Sequence, residues 1–270
     1  MDIASQYDAI VFDQWGVLHN GTSAYLGAVA AINALGAAAP KLGVLSNSGK
    51  RAAPNADRIA AMGFDVDHFD HVMTSGEALW RDIKQGVIPQ QRFFPIERSQ
   101  GDAVAWADGL DIDITRDVRK AQAILLMGLP DGVKMSDYLA PLKGWLSRKQ
   151  PVFCSNPDRK SPRAGGHVIS PGALAFAYHD VGGEVAFYGK PHRPIFRTIE
   201  AAMGAGRYLM VGDSLEHDIA GAHTAGWDSL LIEGGLYADD FAADSSDATL
   251  DRLVATQGCK PPTFRMKEVR

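Results

Sequence analysis

An α/β fold with a parallel-sheet core and a smaller inserted α/β cap is what this sequence predicts, on three observations. The first third alternates apolar runs with helical stripes, the last third resumes the same rhythm, and the middle is less regular. Short apolar runs bounded by turn residues read as strands covered on both faces, and their alternation with helices implies parallel pairing with right-handed crossovers.

Along the chain, Ala9–Phe12 is the first expected strand. A helix over Ala24–Ala38 follows, striped by Leu26, Val29, Ile32 and Leu35, with Thr22 or Ser23 able to cap it. Leu42–Leu45 is a strand, and the helix near Pro54 ends at Gly63, with proline in its first turn and glycine past its end. Val72-Met73 closes a βαβαβ unit. In the middle, strands are expected at Arg92–Ile96, Ala123–Met127 and Pro151–Ser155. Helices are expected at Gly76–Gln85, Asp102–Ala107, Ser136–Ser147 and Pro171–Val181. The last third reads as strand Val185–Tyr188, helix Pro194–Met203, strand Tyr208–Val211, helix Ile219–Ala225, strand Leu230–Ile232 and helix Ala248–Thr256. The expected organisation is core at 1–74, cap at 75–183 and core again at 184–270.

Bulk composition narrows the function classes. The 270 residues are 46% hydrophobic and 22% charged, an ordinary globular balance able to build a sizeable core. A net charge of −5 gives no basic face for nucleic acid or an anionic membrane, and neither partner is expected. The basic residues Arg265, Lys267 and Arg270 read as a solvated tail, and Arg159, Lys160 and Arg163 as a solvated loop that a second anionic group on a substrate would also suit. Two cysteines make no disulfide framework, and no segment resembles a signal peptide or a membrane span, so a cytoplasmic location is expected. Ser48-Gly49-Lys50-Arg51 is no P-loop, Gly204-x-Gly206 precedes a strand, Asp65-x-Asp67 lacks the rest of a calcium loop, and His68 with His71 lacks zinc partners.

The chemistry gathers after four core strands: Asp13, Ser46, Lys190, and Asp213 with Asp218. In an open parallel sheet these loops share the ligand-binding rim. Carboxylates so crowded repel by about 4 kcal/mol per pair at 4 Å and dielectric 20. An oxygen-only cluster suits a hard cation such as Mg²⁺. A carboxylate nucleophile, a hydroxyl, an ammonium and paired acidic ligands make sense together for phosphoryl transfer, where positioning and charge neutralisation do most of the work.

Asp13-x-x-Gly16-Val17-Leu18, Ser46, Gly189-Lys190-Pro191 and Gly212-Asp213-x-x-x-x-Asp218-Ile219 resemble, in order, the four motifs of the haloacid dehalogenase superfamily of hydrolases. Cys154-Ser155-Asn156-Pro157-Asp158, Pro171-Gly172-Ala173 and Phe187-Tyr188-Gly189-Lys190-Pro191 are similar to its NagD-like branch of subfamily IIA, sugar and nucleotide phosphatases with the larger cap. The resemblance implies a Rossmann-like core and an aspartyl-phosphate formed on Asp13. It implies Mg²⁺ held by Asp13, Asp213, the main-chain carbonyl of Trp15 and, in support, Asp218. Ser46 would bond the phosphoryl oxygens and Lys190 would neutralise charge, with Asn47 a further phosphate donor. Asn156 and Asp158 are candidate substrate contacts, with an Asx turn at Pro157 the competing explanation.

One position departs from the pattern. The family's phosphatases carry a second aspartate, the general acid, where this chain has Trp15. His19, Glu216 and His217 are candidate replacements. The expected partner is a small phosphorylated metabolite, such as a sugar phosphate or nucleotide, with a cap-mediated homodimer as the assembly. Two alternatives stand beside the phosphatase: different chemistry on the same scaffold, and a non-catalytic phosphometabolite-binding regulator. Carbon-transfer members do without the full metal site, and the presence of both Asp213 and Asp218 favours phosphorus.

Overall fold

The computed structural model describes residues 3–37, 40–163 and 166–270. The chain divides into two compact units. The first comprises Met1–Ser46, Ala52–Met73 and Lys190–Arg270, and the second comprises Asn47–Arg51 and Thr74–Gly189. In chain order the strands are β1 (Ala9–Phe12), β2 (Lys41–Ser46), β3 (His71–Thr74), β4 (Arg92–Ile96), β5 (Asp113–Ile114), β6 (Ala123–Leu126) and β7 (Val152–Cys154). They continue with β8 (Lys160–Arg163), β9 (Gly166–Ile169), β10 (Val185–Phe187), β11 (Tyr208–Gly212), β12 (Asp228–Ile232) and β13 (Phe264–Met266).

The first unit holds a six-stranded sheet in the order β13-β12-β11-β1-β2-β3. Its pairings from β13 through β2 are parallel. Strands β1 and β11 are buried along their whole length, which is why they read as unbroken apolar runs rather than alternating ones. Ile10, Phe12, Leu42, Val44, Leu209 and Val211 pack with Leu18, Ile32 and Ile59 in one core cluster. Leu215, Ile219, Leu231 and Phe241 belong to a second.

The second unit holds a five-stranded sheet in the order β10-β7-β6-β4-β5, all parallel, and the antiparallel pair β8-β9. Its core gathers Ile124, Leu126, Leu142, Trp145, Val152, Leu174 and Tyr178.

Several expectations need correction. Val185–Phe187, expected as a core strand, pairs with β7 in the second sheet, so the first unit resumes at Lys190 rather than at residue 184. The Asn47–Arg51 segment, inside the range expected as core, packs with the second unit. Residues 160–163, expected as loop, form β8 of the hairpin. The supposed basic tail contains β13, where Arg265 pairs with Glu233 and Asp247. The first helix begins at Ala28 with Gly27 as cap, because Asn20 Oδ1 accepts from the backbone N–H groups of both Thr22 and Ser23 in a turn upstream. Its expected last residue, Ala38, lies outside the described residues. No helix among the described residues is long and apolar enough to cross a membrane.

Candidate active site

Strand β1 lies between β11 and β2, with Phe12 level with both Val211 and Val44. The chain leaves β1 at Asp13 and β11 just before Asp213, and β2 ends at Ser46. Parallel pairing therefore delivers these side chains to one edge of the sheet. Asp218 comes from the wide helical turn Leu215–Ile219 that follows β11. Oxygens of Asp13, Asp213 and Asp218 all lie within 4.8 Å of one another.

Lys190 stands among them. Its Nζ donates to Asp13 Oδ1 at 2.6 Å and to Asp218 Oδ1 at 2.7 Å, and its side chain is only 2% exposed. The second oxygen of Asp218 accepts from the Ser214 N–H at 3.0 Å, so both its oxygens are committed within the protein. Asp213 Oδ2 accepts from the Leu236 N–H at 2.9 Å. A Cβ at Gly16 or Gly235 would collide with the Asp213 carboxyl, and the absence of side chains there lets both loops close over it. Gly16 also sits at φ +83°, where glycine is favoured.

The electrostatics are those of a cluster short of positive charge. Burial raises the Asp13 carboxyl to about 6, opposed by Lys190 and reinforced by Asp218. Burial and its two acidic neighbours raise Asp213 well above the usual carboxylate range. Burial disfavours the Lys190 ammonium, but Asp13 and Asp218 outweigh that and push its pKa up. Ionised, the four side chains sum to −2, which a divalent cation would cancel. The donor set fits one: all ligands are hard oxygens, close enough together to share a single ion.

Around Asp13 the loop is held by buried polar groups. Gln14 Oε1 accepts from Arg58 Nη2 at 3.1 Å, and its backbone carbonyl accepts from the Leu18 and His19 N–H groups. His19 is fully buried and accepts from the Gly21 N–H through Nδ1 at 3.0 Å. Burial, with Arg58 adding, lowers its pKa to about 4. It is therefore a neutral loop organiser at pH 7, poorly suited to the acid role considered for it. The unfolded chain would protonate His19 near its ordinary 6.5, while the fold resists until about 4. This contribution to stability is present above pH 6.5 and is lost as pH falls towards 4. The stability difference between wild type and His19→Asn should accordingly shrink from pH 7.5 to pH 4.5 in metal-free urea unfolding. A pH-independent difference would exclude the buried neutral state.

Trp15 is 48% exposed, so it is not core, and its indole Nε1 sits where a Gly21 side chain would be, 2.7 Å from an ideal Cβ. Asn47, Asn156 and Asp158 come together in the second unit. Asn47 Nδ2 donates to Asp158 Oδ1 at 2.8 Å, and Asn156 Oδ1 accepts from the Asp158 N–H at 3.0 Å, an Asx turn. Sequence reasoning missed Gln14 and the Gly235-Leu236 loop. The paired glycines Gly234-Gly235 after an apolar strand were the available signal for the latter.

Two family profiles match the chain: "Haloacid dehalogenase-like hydrolase" over residues 10–109 and "HAD-hydrolase-like" over residues 187–256. A phospholysine phosphohistidine inorganic pyrophosphate phosphatase of Xenopus laevis is 26% identical, across 93% of this chain and 96% of the relative. A glycerol-3-phosphate phosphatase of Gallus gallus is 27% identical, across 87% of this chain and 82% of the relative. The crystal structure of a haloacid dehalogenase-like hydrolase from Brucella suis 1330 superposes with TM-score 0.79 at 30% identity, covering 98% of this chain and 96% of that one. The chain thus belongs to the haloacid dehalogenase-like hydrolase family.

Proposed function

We propose that this phosphatase hydrolyses a small phosphorylated metabolite with Mg²⁺ as its metal, through an aspartyl-phosphate on Asp13. The observation that carries the reading is the buried lysine set among three carboxylates whose oxygens lie within 4.8 Å of one another. A carboxylate oxygen of Asp13 attacks phosphorus, the bond from phosphorus to the leaving oxygen breaks, and that oxygen takes up a proton. Water then attacks the phosphorus of the aspartyl-phosphate, releasing inorganic phosphate and restoring the carboxylate. Lys190 neutralises charge on Asp13 and on the transferring group, Ser46 donates to a phosphoryl oxygen, and Asp218 holds Lys190 in place. Asp13, Asp213 and the Trp15 carbonyl would hold Mg²⁺, which supplies charge neutralisation for the phosphoryl oxygens.

A screen of phosphorylated metabolites with and without Mg²⁺ tests the reading. Phosphate release absent from every compound, or unchanged in Asp13→Asn, would sink it. Metal binding has its own test. Mg²⁺ at 100 times its dissociation constant should stabilise the fold by about 2.7 kcal/mol, and Asp213→Asn should lose that gain. With the Asp13 carboxyl at about 6 in the metal-free protein, Mg²⁺ competes with a proton below that pH. Calorimetry should find affinity falling from pH 7.5 to pH 5, with proton release on binding.

A further inference from the structure

We propose that Asp158 is a positioning residue for phosphoryl transfer, not a substrate contact: its carboxylate secures the point from which the chain runs directly to Ser46 and to Lys190. This inference rests on the phosphatase reading above. Asp158 Oδ1 accepts from Asn47 Nδ2 at 2.8 Å, joining residues 111 apart in sequence. Gly189 completes the knot. A Cβ built on it would lie 2.6 Å from Asn47 Oδ1 and collide with the Pro157 ring. Asn47 and Gly189 are the immediate chain neighbours of Ser46 and Lys190.

The knot is anchored on every side within the second unit. The Gly172 N–H, near the start of the helix Pro171–Asp180, donates to the Asp158 carbonyl at 3.0 Å, and any side chain on Gly172 would strike the Pro157 and Asp158 carbonyls. The Asn47–Arg51 segment is fixed beyond Asn47 by four contacts. Thr74 Oγ1 donates to the Lys50 carbonyl at 2.6 Å, and the Gly76 N–H to the Ser48 carbonyl at 3.0 Å. Arg51 donates to Glu77 at 2.7 Å and lies 3.8 Å over the Trp80 ring. On the Lys190 side, the buried Tyr188 hydroxyl donates to Asp82 Oδ2 at 2.7 Å. A carboxylate already bonded to Asn47 and flanked by an Asx turn is built to hold backbone in place. Small misplacement of catalytic groups is costly, about 10²-fold for 1 Å.

The experiment compares wild type, Asp158→Ala, Asp158→Asn and Gly189→Ala on three phosphate esters with unlike alcohols, alongside amide hydrogen exchange. Asp158→Ala should lower kcat by about 10-fold or more, alike on all three esters and with KM little changed, as expected when only the transition-state arrangement suffers. Asp158→Asn keeps a carbonyl acceptor for Asn47 and should restore most of the rate. Gly189→Ala should lower kcat in the same uniform way. Exchange across residues 46–51 and 189–190 should quicken in Asp158→Ala and return in Asp158→Asn. A changed ranking of the esters, or a rise in KM alone, would overturn the inference in favour of substrate contact. Unaltered exchange in Asp158→Ala would overturn it whatever the activity. Should wild type hydrolyse no ester, the phosphatase reading fails, and the exchange result still decides whether Asp158 holds the two segments.

Discussion

Lys190→Met should cost the metal-free protein about 3–5 kcal/mol of stability at pH 7.5, the range found when one partner of a buried ion pair is removed. The ammonium bonds two carboxylates at once; Lys190 and Asp218 are almost wholly buried, and Asp13 is only partly exposed. Without it, Asp13, Asp213 and Asp218 would carry an uncompensated −3 in a buried cluster. The variant's remedy is protonation. Carboxyls raised above their unfolded values bind protons more tightly in the fold, so the variant should regain stability as pH falls towards about 4. Millimolar Mg²⁺ should recover part of the loss at pH 7.5 by replacing the missing charge. Activity should fall by roughly 10²–10³-fold, the effect of deleting one preorganised electrostatic group. Urea unfolding with a chelator, repeated with Mg²⁺, checks the stability terms. A loss below about 1 kcal/mol would mean that Lys190 is not clamped between Asp13 and Asp218.

What was legible in the sequence follows a physical pattern. Strands β1, β2, β11 and β12 are buried and parallel, so their residues alone mark them as strands. The aspartates that follow β1 and β11, Asp13 and Asp213, are legible for the same reason, since strand ends in such a sheet define the ligand edge. Strand β10 shows the limit. Its residues announce a strand, yet membership of a sheet depends on Val185 meeting Val152, a pairing no local pattern encodes. Strand β8 contains Pro162 and two basic residues, the composition of a loop, and becomes a strand only through its antiparallel partner. At the site, the Asx turn at Asn156 was readable because its bond spans two residues. The Asp158–Asn47 bond was not, because it spans 111. The closeness of Gly235 to Asp213 is likewise invisible, a steric fact between two loops.

Trp15→Asp should raise turnover of alkyl phosphates by up to about 10²–10⁴-fold, the range general acid catalysis supplies, with little change for aryl phosphates. The loop Asp13–Asn20 offers no side chain suited to protonating a departing alkoxide near pH 7. Gln14 is an amide held by Arg58, Trp15 an indole, and His19 a buried neutral imidazole whose pKa is held at about 4. An aryl oxide departs without a proton and is indifferent to this lack, while an alkoxide needs one in the transition state. The wild type should therefore strongly favour aryl over alkyl esters, and the variant should narrow that ratio. Space is available for the change. Trp15 is half-exposed and its ring rests over Gly21, so removing the indole opens little of the buried core. Circular dichroism and Mg²⁺ affinity, measured in parallel, separate a loosened loop from a chemical effect. Rapid alkyl turnover by the wild type, at tens per second, would place the proton donor outside this loop. A folded, metal-bound Trp15→Asp with an unchanged aryl-to-alkyl ratio would show that protonation of the leaving oxygen does not limit this enzyme.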